Sequence, residues 1–160
     1  MPILFTPWRY AYIKQGSTGA CIFCHASGHE GDPFDVLRLG CTNYSIIMLN
    51  RYPYINGHLM VAPRRHTADL AGLSPEEKSD MMDLVAHCTQ VLGEVYGPHG
   101  YNVGMNLGRV AGAGIEDHLH MHIVPRWNGD HNFMRVLADT RMIPEDLSVT
   151  FANLKDRIAL

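Results

Sequence analysis

Three histidines alternate with apolar residues in segment 118–124, which reads HLHMHIV. Imidazole titrates nearer to neutral pH than other side chains, so it serves as a nucleophile, a proton carrier or a metal ligand. Successive side chains of a β-strand point to opposite faces, so a strand here would place the three imidazoles together and the apolar side chains opposite. The pattern fits a polar outer face of an edge strand, a metal site of three histidines, or a catalytic centre. Burying three imidazoles without hydrogen-bond partners is costly, which favours a chemical role for that face.

A second group of candidate residues begins with Cys21 and Cys24, whose CxxC spacing suits one side of a tetrahedral metal site. Two further ligands are needed, and a pair formed by His25 and His29 would make a self-contained site in the same loop. The candidates for the remaining positions are His25, His29, His66 and His118. A reduced CxxC without metal is the alternative. A redox role is disfavoured, because no thioredoxin-like βαβ pattern surrounds the two cysteines.

The elements that must position these residues are strands around one long helix. Segments 42–50 and 58–63 are rich in β-forming residues and flank a turn segment, so they predict a pair of strands. Segments 101–107 and 118–124 predict two more, joined through the glycine-rich loop 108–114. Strands packed on a helix give an α+β domain.

The clearest helix signal begins at Ser74, a favourable N-cap residue followed by Pro75 and, three residues on, by Glu77. This spacing predicts a capping box. Apolar residues then recur at helical spacing as far as Val95, and Gly97 ends the pattern.

Composition limits the function classes. The 160 residues are 46% hydrophobic and 18% charged with a formal net charge of −3, which is typical of one globular domain and gives no electrostatic footprint for nucleic acid. No apolar stretch approaches the roughly 18 residues of a membrane span, and no signal-peptide pattern is present. We therefore expect a cytoplasmic protein with no nucleic-acid or membrane partner. Cys41 and Cys88 lie in apolar segments and are expected to be reduced core thiols.

The segment 118–124 resembles the His-φ-His-φ-His-φ-φ motif (φ, apolar) of the histidine-triad superfamily, and the likeness extends over the predicted order of elements from about Tyr44 to Trp127. The segments Pro7-Trp8-Arg9 and 21–24 (CIFC) are similar to those of bacterial members. The resemblance implies an antiparallel sheet of about five strands with one long helix and a second, shorter one. It implies a single domain, residues 1–160, divided into an irregular N-terminal segment with the zinc-binding CxxC (1–34), a core (35–127) and a surface tail (128–160).

By this resemblance His120 is the nucleophile, which attacks an α-phosphorus to give a nucleotidyl-histidine that water then hydrolyses. The attacking nitrogen must be unprotonated, so the other ring nitrogen should donate to a fixed acceptor such as a backbone carbonyl. His122 is expected to contact the phosphate and help the leaving group depart. His58 matches the fourth family histidine and is expected beside the phosphates.

The same resemblance implies substrate contacts. Asn50 matches a position that touches the sugar, and Asn106 matches one near the phosphates. Gly112 and Gly114, in loop 108–114, would bring backbone N–H groups close to an anion, although a flexible turn is an equal alternative for this loop. The resemblance also implies a closed, structural zinc site, whose ligands would be Cys21, Cys24, His66 and His118.

Within the superfamily, histidine at position 122 favours the hydrolase branches over the uridylyltransferases, which carry glutamine there. The tail from Trp127 to Met134 looks like bacterial Fhit-like proteins, so diadenosine tri- and tetraphosphate are the expected substrates and a homodimer is the expected assembly. The alternatives are a dinucleoside polyphosphate phosphorylase, a Hint-like nucleoside phosphoramidase and a non-enzymatic nucleotide-binding regulator. His131 and Arg135 depart from the usual threonine and proline, and would either contact a distal phosphate or be solvated.

Overall fold

The computed structural model describes residues 21–130, 145–158 and 160. Five strands form one sheet in the order β1–β2–β3–β5–β4, and every neighbouring pair is antiparallel. The strands are β1 (Arg38–Cys41), β2 (Ser45–Leu49), β3 (Leu59–Pro63), β4 (Gly100–Met105) and β5 (Met121–Arg126). The α+β class and the antiparallel sheet of about five strands are thus confirmed.

Three α-helices lie in the described part of the chain: α1 (Ile22–Gly28), α2 (Pro75–Tyr96) and α3 (Leu147–Ile158). Short 3-10 turns occupy Pro33–Val36 and Arg109–Ala111. Two short helices therefore accompany the long one, where the sequence predicted one. None of these helices has the length and apolar character needed to span a membrane.

The structure differs from the sequence predictions in segments 1–34 and 128–160. The N-terminal segment is not wholly irregular, because α1 lies within it and buries Phe23 and Ala26. The C-terminal residues do not form only a surface tail, because α3 buries Phe151, Leu154 and Ile158 in the core. A seven-residue helix has too few turns to show a period, whereas the apolar spacing of four, three and four from Leu147 to Ile158 was a usable signal. Residues 1–20 and 131–144, which include Pro7-Trp8-Arg9, His131 and Arg135, lie outside the described residues.

The two central strands β2 and β3 are buried on both faces, which explains their continuous apolar runs. In β2, Ile47 and Leu49 pack in the cluster that includes α2 and α3, whereas Ile46 and Met48 pack in the cluster that includes α1. Such two-sided burial gives apolar runs instead of alternation. Of the two remaining cysteines, Cys88 is buried as expected and Cys41, at the end of β1, is exposed.

The predicted capping box of α2 is present. The Ser74 hydroxyl accepts a hydrogen bond from the Glu77 N–H at 3.1 Å, and a Glu77 carboxylate oxygen accepts one from the Ser74 N–H at 2.8 Å. Arg65 donates two further bonds to this carboxylate, at 2.9 and 2.8 Å, and with Ser74 holds the pKa of Glu77 down at about 2. The end of β3 is thereby tied to the start of α2.

Replacing Ser74 with alanine is expected to lower the free energy of unfolding by about 1 kcal/mol, because the Glu77 N–H loses its acceptor. Urea unfolding measures the change. Ser79→Ala, on the exposed face of the same helix, is the matched control and should change stability by no more than about 0.5 kcal/mol. Equal effects of the two substitutions would contradict a stabilising cap.

Candidate catalytic and metal site

The histidine segment 118–124 lies only in part within the sheet, as the start of the interior strand β5. Strand β5 begins only at Met121, because the Leu119 N–H donates to the Thr67 carbonyl at 2.7 Å and not to β3. The apolar residues of the segment share one face as predicted, and that face is turned to α2, with Leu119 and Ile123 buried in the cluster that includes α2 and Met121 packed against it. Strand β5 therefore begins later than predicted. His118 lies before it and belongs to a separate cluster of side chains, which is described below.

His120 is almost completely buried, with 5% of its surface exposed. Its Nδ1 donates a hydrogen bond to the His118 carbonyl at 2.9 Å, which matches the expectation of a fixed carbonyl acceptor. Burial lowers the pKa of His120, and the bond to the carbonyl partly opposes that change. A neutral ring with its proton on Nδ1 has an unshared electron pair on Nε2, which is the requirement for a nucleophile.

His58 and His122 form a hydrogen-bonded pair, with His58 Nε2 2.9 Å from His122 Nδ1. The Tyr54 N–H donates to His58 Nδ1 at 3.1 Å, so that nitrogen is an acceptor and the His58 proton resides on Nε2. His58 Nε2–H then donates to His122 Nδ1, which places the His122 proton on Nε2. A fixed N–H donor therefore lies beside His120, whose ring centroid is 4.9 Å from that of His122.

Both histidines of this pair are uncharged at neutral pH. Burial first, and then the nearby His122 and His120, lower the pKa of His58 to about 3. Burial first, and then His120, lower the pKa of His122 to about 4. The pair can therefore offer the Nε2–H of His122 to a phosphate without carrying positive charge before the substrate binds.

Tyr54 is a site residue that the sequence analysis missed. Besides its backbone contact, its ring lies 4.6 Å from the His58 ring between centroids, and 44% of its surface is exposed. A tyrosine in a turn carries no chemical signal of its own. The usable signal was its position in the loop between the first two central strands, four residues before a candidate histidine.

The structure brings Asn50 to the histidine pair. Its side-chain amide nitrogen lies 3.3 Å from His58 Nδ1, and its Oδ1 accepts from the Tyr52 N–H at 2.9 Å. The Asn50 N–H also donates to the His58 carbonyl at 3.0 Å. Asn50 is therefore in position to orient His58, and its contact with the sugar of a nucleotide stays a prediction.

Asn106 lies one residue beyond Met105, which pairs with Met121, so the sheet register carries Asn106 to the level of His120. Its Nδ2 donates to the Gly112 carbonyl at 3.4 Å. Gly112 has a φ of 93°, a left-handed conformation that favours glycine. Gly114 follows two residues later in the same loop. Contact of these residues with substrate stays a prediction.

The predicted metal ligands converge into one cluster, whose members are Cys21, Cys24, His66 and His118. One ligand atom from each lies within 4.8 Å of all the others. His118 Nδ1 is 3.2 Å from Cys21 Sγ and 3.2 Å from His66 Nδ1, and Cys24 Sγ is 3.3 Å from His66 Nδ1. Tetrahedral bonds to zinc, with Zn–S of about 2.3 Å and Zn–N of about 2.0 Å, separate ligand atoms by roughly 3.3–3.8 Å. The donor set and its spacing fit such an ion.

The hydrogen bonding of His118 also suits a ligand. Its Nε2 donates to the Pro63 carbonyl at 2.7 Å, which leaves Nδ1 unprotonated and turned to the cysteines. The alternative local pair does not join this cluster. His29 lies instead 3.9 Å from the Asp35 carboxylate, and its ring centroid is 5.6 Å from that of His25.

The lowered pKa of His58 predicts acid sensitivity. The unfolded chain binds a proton at His58 below about pH 6.5, whereas the native state stays unprotonated to about 3, so the free energy of unfolding falls as the pH decreases through this window. The expected contribution is about 1.4 kcal/mol per pH unit. Urea unfolding at about pH 6 and about pH 5 measures this contribution. The free energy of unfolding should change less with pH in His58→Gln than in the wild type.

Asn50→Ala is the control for this experiment, because it removes a contact of His58 without removing a titrating group. It should lower stability and keep the wild-type slope. Identical slopes for His58→Gln and the wild type would contradict the buried, neutral state of His58.

A model of the HIT domain family matches residues 36–129. The chain is 35% identical to the AP-4-A phosphorylase of Mycobacterium tuberculosis, over 92% of this chain and 79% of that protein. It is 31% identical to adenosine 5'-monophosphoramidase hnt1 of Schizosaccharomyces pombe, over 87% of this chain and 98% of that protein. Among solved structures, a Zn-bound histidine triad family protein from Mycobacterium smegmatis superposes with a TM-score of 0.67 at 27% identity, covering 87% of this chain and 93% of that one.

Proposed function

The chain belongs to the histidine-triad (HIT) family of nucleotide-processing enzymes, and from that premise we propose that it cleaves diadenosine tri- and tetraphosphate at the α-phosphate through His120. The observation that carries the proposal is the bond from His120 Nδ1 to the His118 carbonyl, because it leaves Nε2 with an unshared pair beside a fixed donor. The name of the mycobacterial relative, AP-4-A phosphorylase, supports a diadenosine tetraphosphate substrate.

In the first step, His120 Nε2 attacks the α-phosphorus, an N–P bond forms, and the bond from phosphorus to the bridging oxygen breaks. The leaving polyphosphate takes the electron pair. His122 Nε2–H would donate a hydrogen bond to that oxygen, which would stabilise the developing charge without a full proton transfer. His58 keeps the His122 proton on Nε2 through the bond between their rings.

In the second step, an acceptor oxygen attacks the same phosphorus and the N–P bond breaks, which returns the electron pair to His120 Nε2. With water as the acceptor, AMP forms and one proton is released to solvent. The substrate contacts that we propose for this pathway are Asn50 to the sugar, and Asn106 with the backbone of Gly112 and Gly114 to the phosphates. The His58–His122 pair would lie beside the transferred phosphate.

Inorganic phosphate as the acceptor defines a second candidate function. It would form ADP in place of AMP from the same nucleotidyl-histidine, and the 35% identity to a phosphorylase favours it. The two functions use the same residues. They differ only in the acceptor, water or inorganic phosphate, that attacks the phosphorus after the leaving group departs.

We propose that the ion bound by Cys21, Cys24, His66 and His118 is zinc. Two thiolates and two imidazoles are a common zinc donor set, and the Zn-bound mycobacterial neighbour supports the choice. Four protein ligands leave no position for water, so the ion would supply rigidity to the segment before β5 and no catalytic group.

The predicted C2 homodimer and the predicted cytoplasmic location are also proposals. Among the strands that the structure describes, β4 lies at an edge of the sheet and exposes Val103, which supports a contact between two copies. Light scattering after size-exclusion chromatography tests the dimer, with a mass of one chain as the outcome that excludes it.

Product analysis tests the function. Diadenosine tetraphosphate is incubated with the full chain, with and without inorganic phosphate. AMP and ATP in both conditions establish a hydrolase, whereas ADP and ATP on addition of phosphate establish a phosphorylase. If neither diadenosine tetraphosphate nor diadenosine triphosphate is cleaved, the proposal fails. Adenosine phosphoramidate is then the next substrate to assay. Failure there as well would leave nucleotide binding without turnover.

A further inference from the structure

The ring of Phe23 contacts both the metal cluster and the nucleophile. Its centroid lies 5.0 Å from the His118 ring and 5.0 Å from the His120 ring, with the latter pair inclined by only 32°. Phe23 is 1% exposed. In the chain it stands between Cys21 and Cys24, so the segment that carries two metal ligands also places a phenyl ring on the histidine proposed to attack the substrate.

His120 needs such a contact to stay in one orientation. The torsion that turns an imidazole about its bond to Cβ has a broad, shallow minimum, so one hydrogen bond through Nδ1 does not fix the ring. The orientation of the ring is fixed by side chains that pack on its faces. Phe23 covers one side of the His120 ring, and His122 meets it at 77° with a centroid separation of 4.9 Å.

The position of Phe23 depends in turn on how α1 is held. The end of the helix is anchored by arginines, since Arg38 donates to the Ala26 carbonyl at 2.7 Å and Arg64 donates to the Ser27 hydroxyl at 2.9 Å. Within the described residues, no side chain caps the first turn, which carries Phe23. The anchors that the structure describes for this turn are the two flanking cysteines and the burial of the phenyl ring.

We propose that Phe23 is a positioning residue, which transmits the fixed geometry of the metal cluster to the imidazole of His120 and holds that ring in the orientation for attack. The inference rests on the proposed function in so far as His120 is the nucleophile. Phe23 is too deeply buried to act as a nucleotide contact in this conformation, so its effect appears in the chemical step and not in ground-state binding.

The test compares Phe23→Leu with the wild type in the metal-loaded full chain. Leucine keeps apolar volume but removes the flat face. We expect metal content to be unchanged and the affinity for AMP to stay within about twofold, whereas nucleotidylation of His120 by diadenosine tetraphosphate in a single turnover slows by about tenfold or more, as a small misplacement of a reacting group predicts. Ile46→Val, a truncation of a buried residue in the same apolar cluster that has no assigned role in the site, should leave all three values unchanged.

A second readout does not depend on catalysis. In histidine-labelled protein, the Nδ1–H proton of His120 should give an NMR signal protected from solvent exchange by its bond to the His118 carbonyl; the signal is assigned by its loss in His120→Ala. We expect faster exchange of this proton in Phe23→Leu and in wild type stripped of metal by a chelator, and no change in Ile46→Val.

When Phe23→Leu folds, either of two results would overturn the inference. One is a Phe23→Leu protein with the wild-type rate and the wild-type proton signal. The other is a rise in KM at constant kcat, which would assign Phe23 to binding. If Phe23→Leu does not fold, retention of the protected proton in metal-free wild type overturns the proposed link. Should the wild type cleave no dinucleotide, the proposed function fails while the proton signal still tests the position of the ring.

Discussion

His120→Ala is expected to lower the rate of diadenosine tetraphosphate cleavage by a factor on the order of 10⁴ or more, because no other group takes over covalent attack on phosphorus when the nucleophile is removed. Binding of AMP should be largely retained, since the ring of His120 contributes to the chemical step more than to affinity. Steady-state product formation and equilibrium titration with AMP measure the two quantities separately.

His87→Ala is the matched control for that substitution. His87 lies in α2, away from the triad in sequence and outside the groups assigned to the site, so its removal should leave the rate within about threefold of wild type. A near-normal rate in His120→Ala would contradict the assignment of the nucleophile. A loss of AMP binding as large as the loss of rate would instead assign His120 to ground-state binding.

Cys24→Ser is expected to abolish stoichiometric metal binding and to lower the melting temperature. A metal present at about 1,000 times its dissociation constant stabilises the native state by about 4 kcal/mol, and for a chain of this size that corresponds to a shift on the order of 10 °C. Metal analysis by plasma mass spectrometry and calorimetry measure both, with about one zinc per wild-type chain as the expected content.

Cys41→Ser provides the control, because it makes the same chemical change at an exposed thiol outside the cluster. It should keep the metal and the melting temperature of the wild type. Wild-type protein that is purified without chelators and contains no metal would refute the zinc site, as would Cys24→Ser protein that retains a full complement.

Some features of the fold could be predicted because their causes are local. The capping box at Ser74 and Glu77 depends on residues three apart, and the alternation in segment 118–124 depends on the two-residue period of extended chain. Both are present as expected, apart from the start of β5. That start shifted because Leu119 bonds to Thr67, and sequence spacing carries no information about a partner so distant in the chain.

Other features differ from the sequence predictions for different reasons. Helix α1 has only seven residues, and its anchors are side chains of β1 and of the end of β3. Helix α3 has an apolar period in its sequence, although the composition of this region is polar enough to suggest a surface tail. Tyr54 and Phe23 are ordinary aromatic residues by composition, and only their distances to histidine rings give them a role.

The sequence by itself determined the reactive groups: which side chains can attack, ligate or carry a proton, and the family to which their spacing belongs. Only the tertiary structure decided the protonation and the orientation of those groups. The His118 carbonyl places the proton of His120 on Nδ1, Tyr54 and His58 place that of His122 on Nε2, and convergence with His66 separates His118 from the other two histidines. The reason is physical: protonation and orientation depend on burial and on hydrogen-bond partners, which folding brings together from distant parts of the chain.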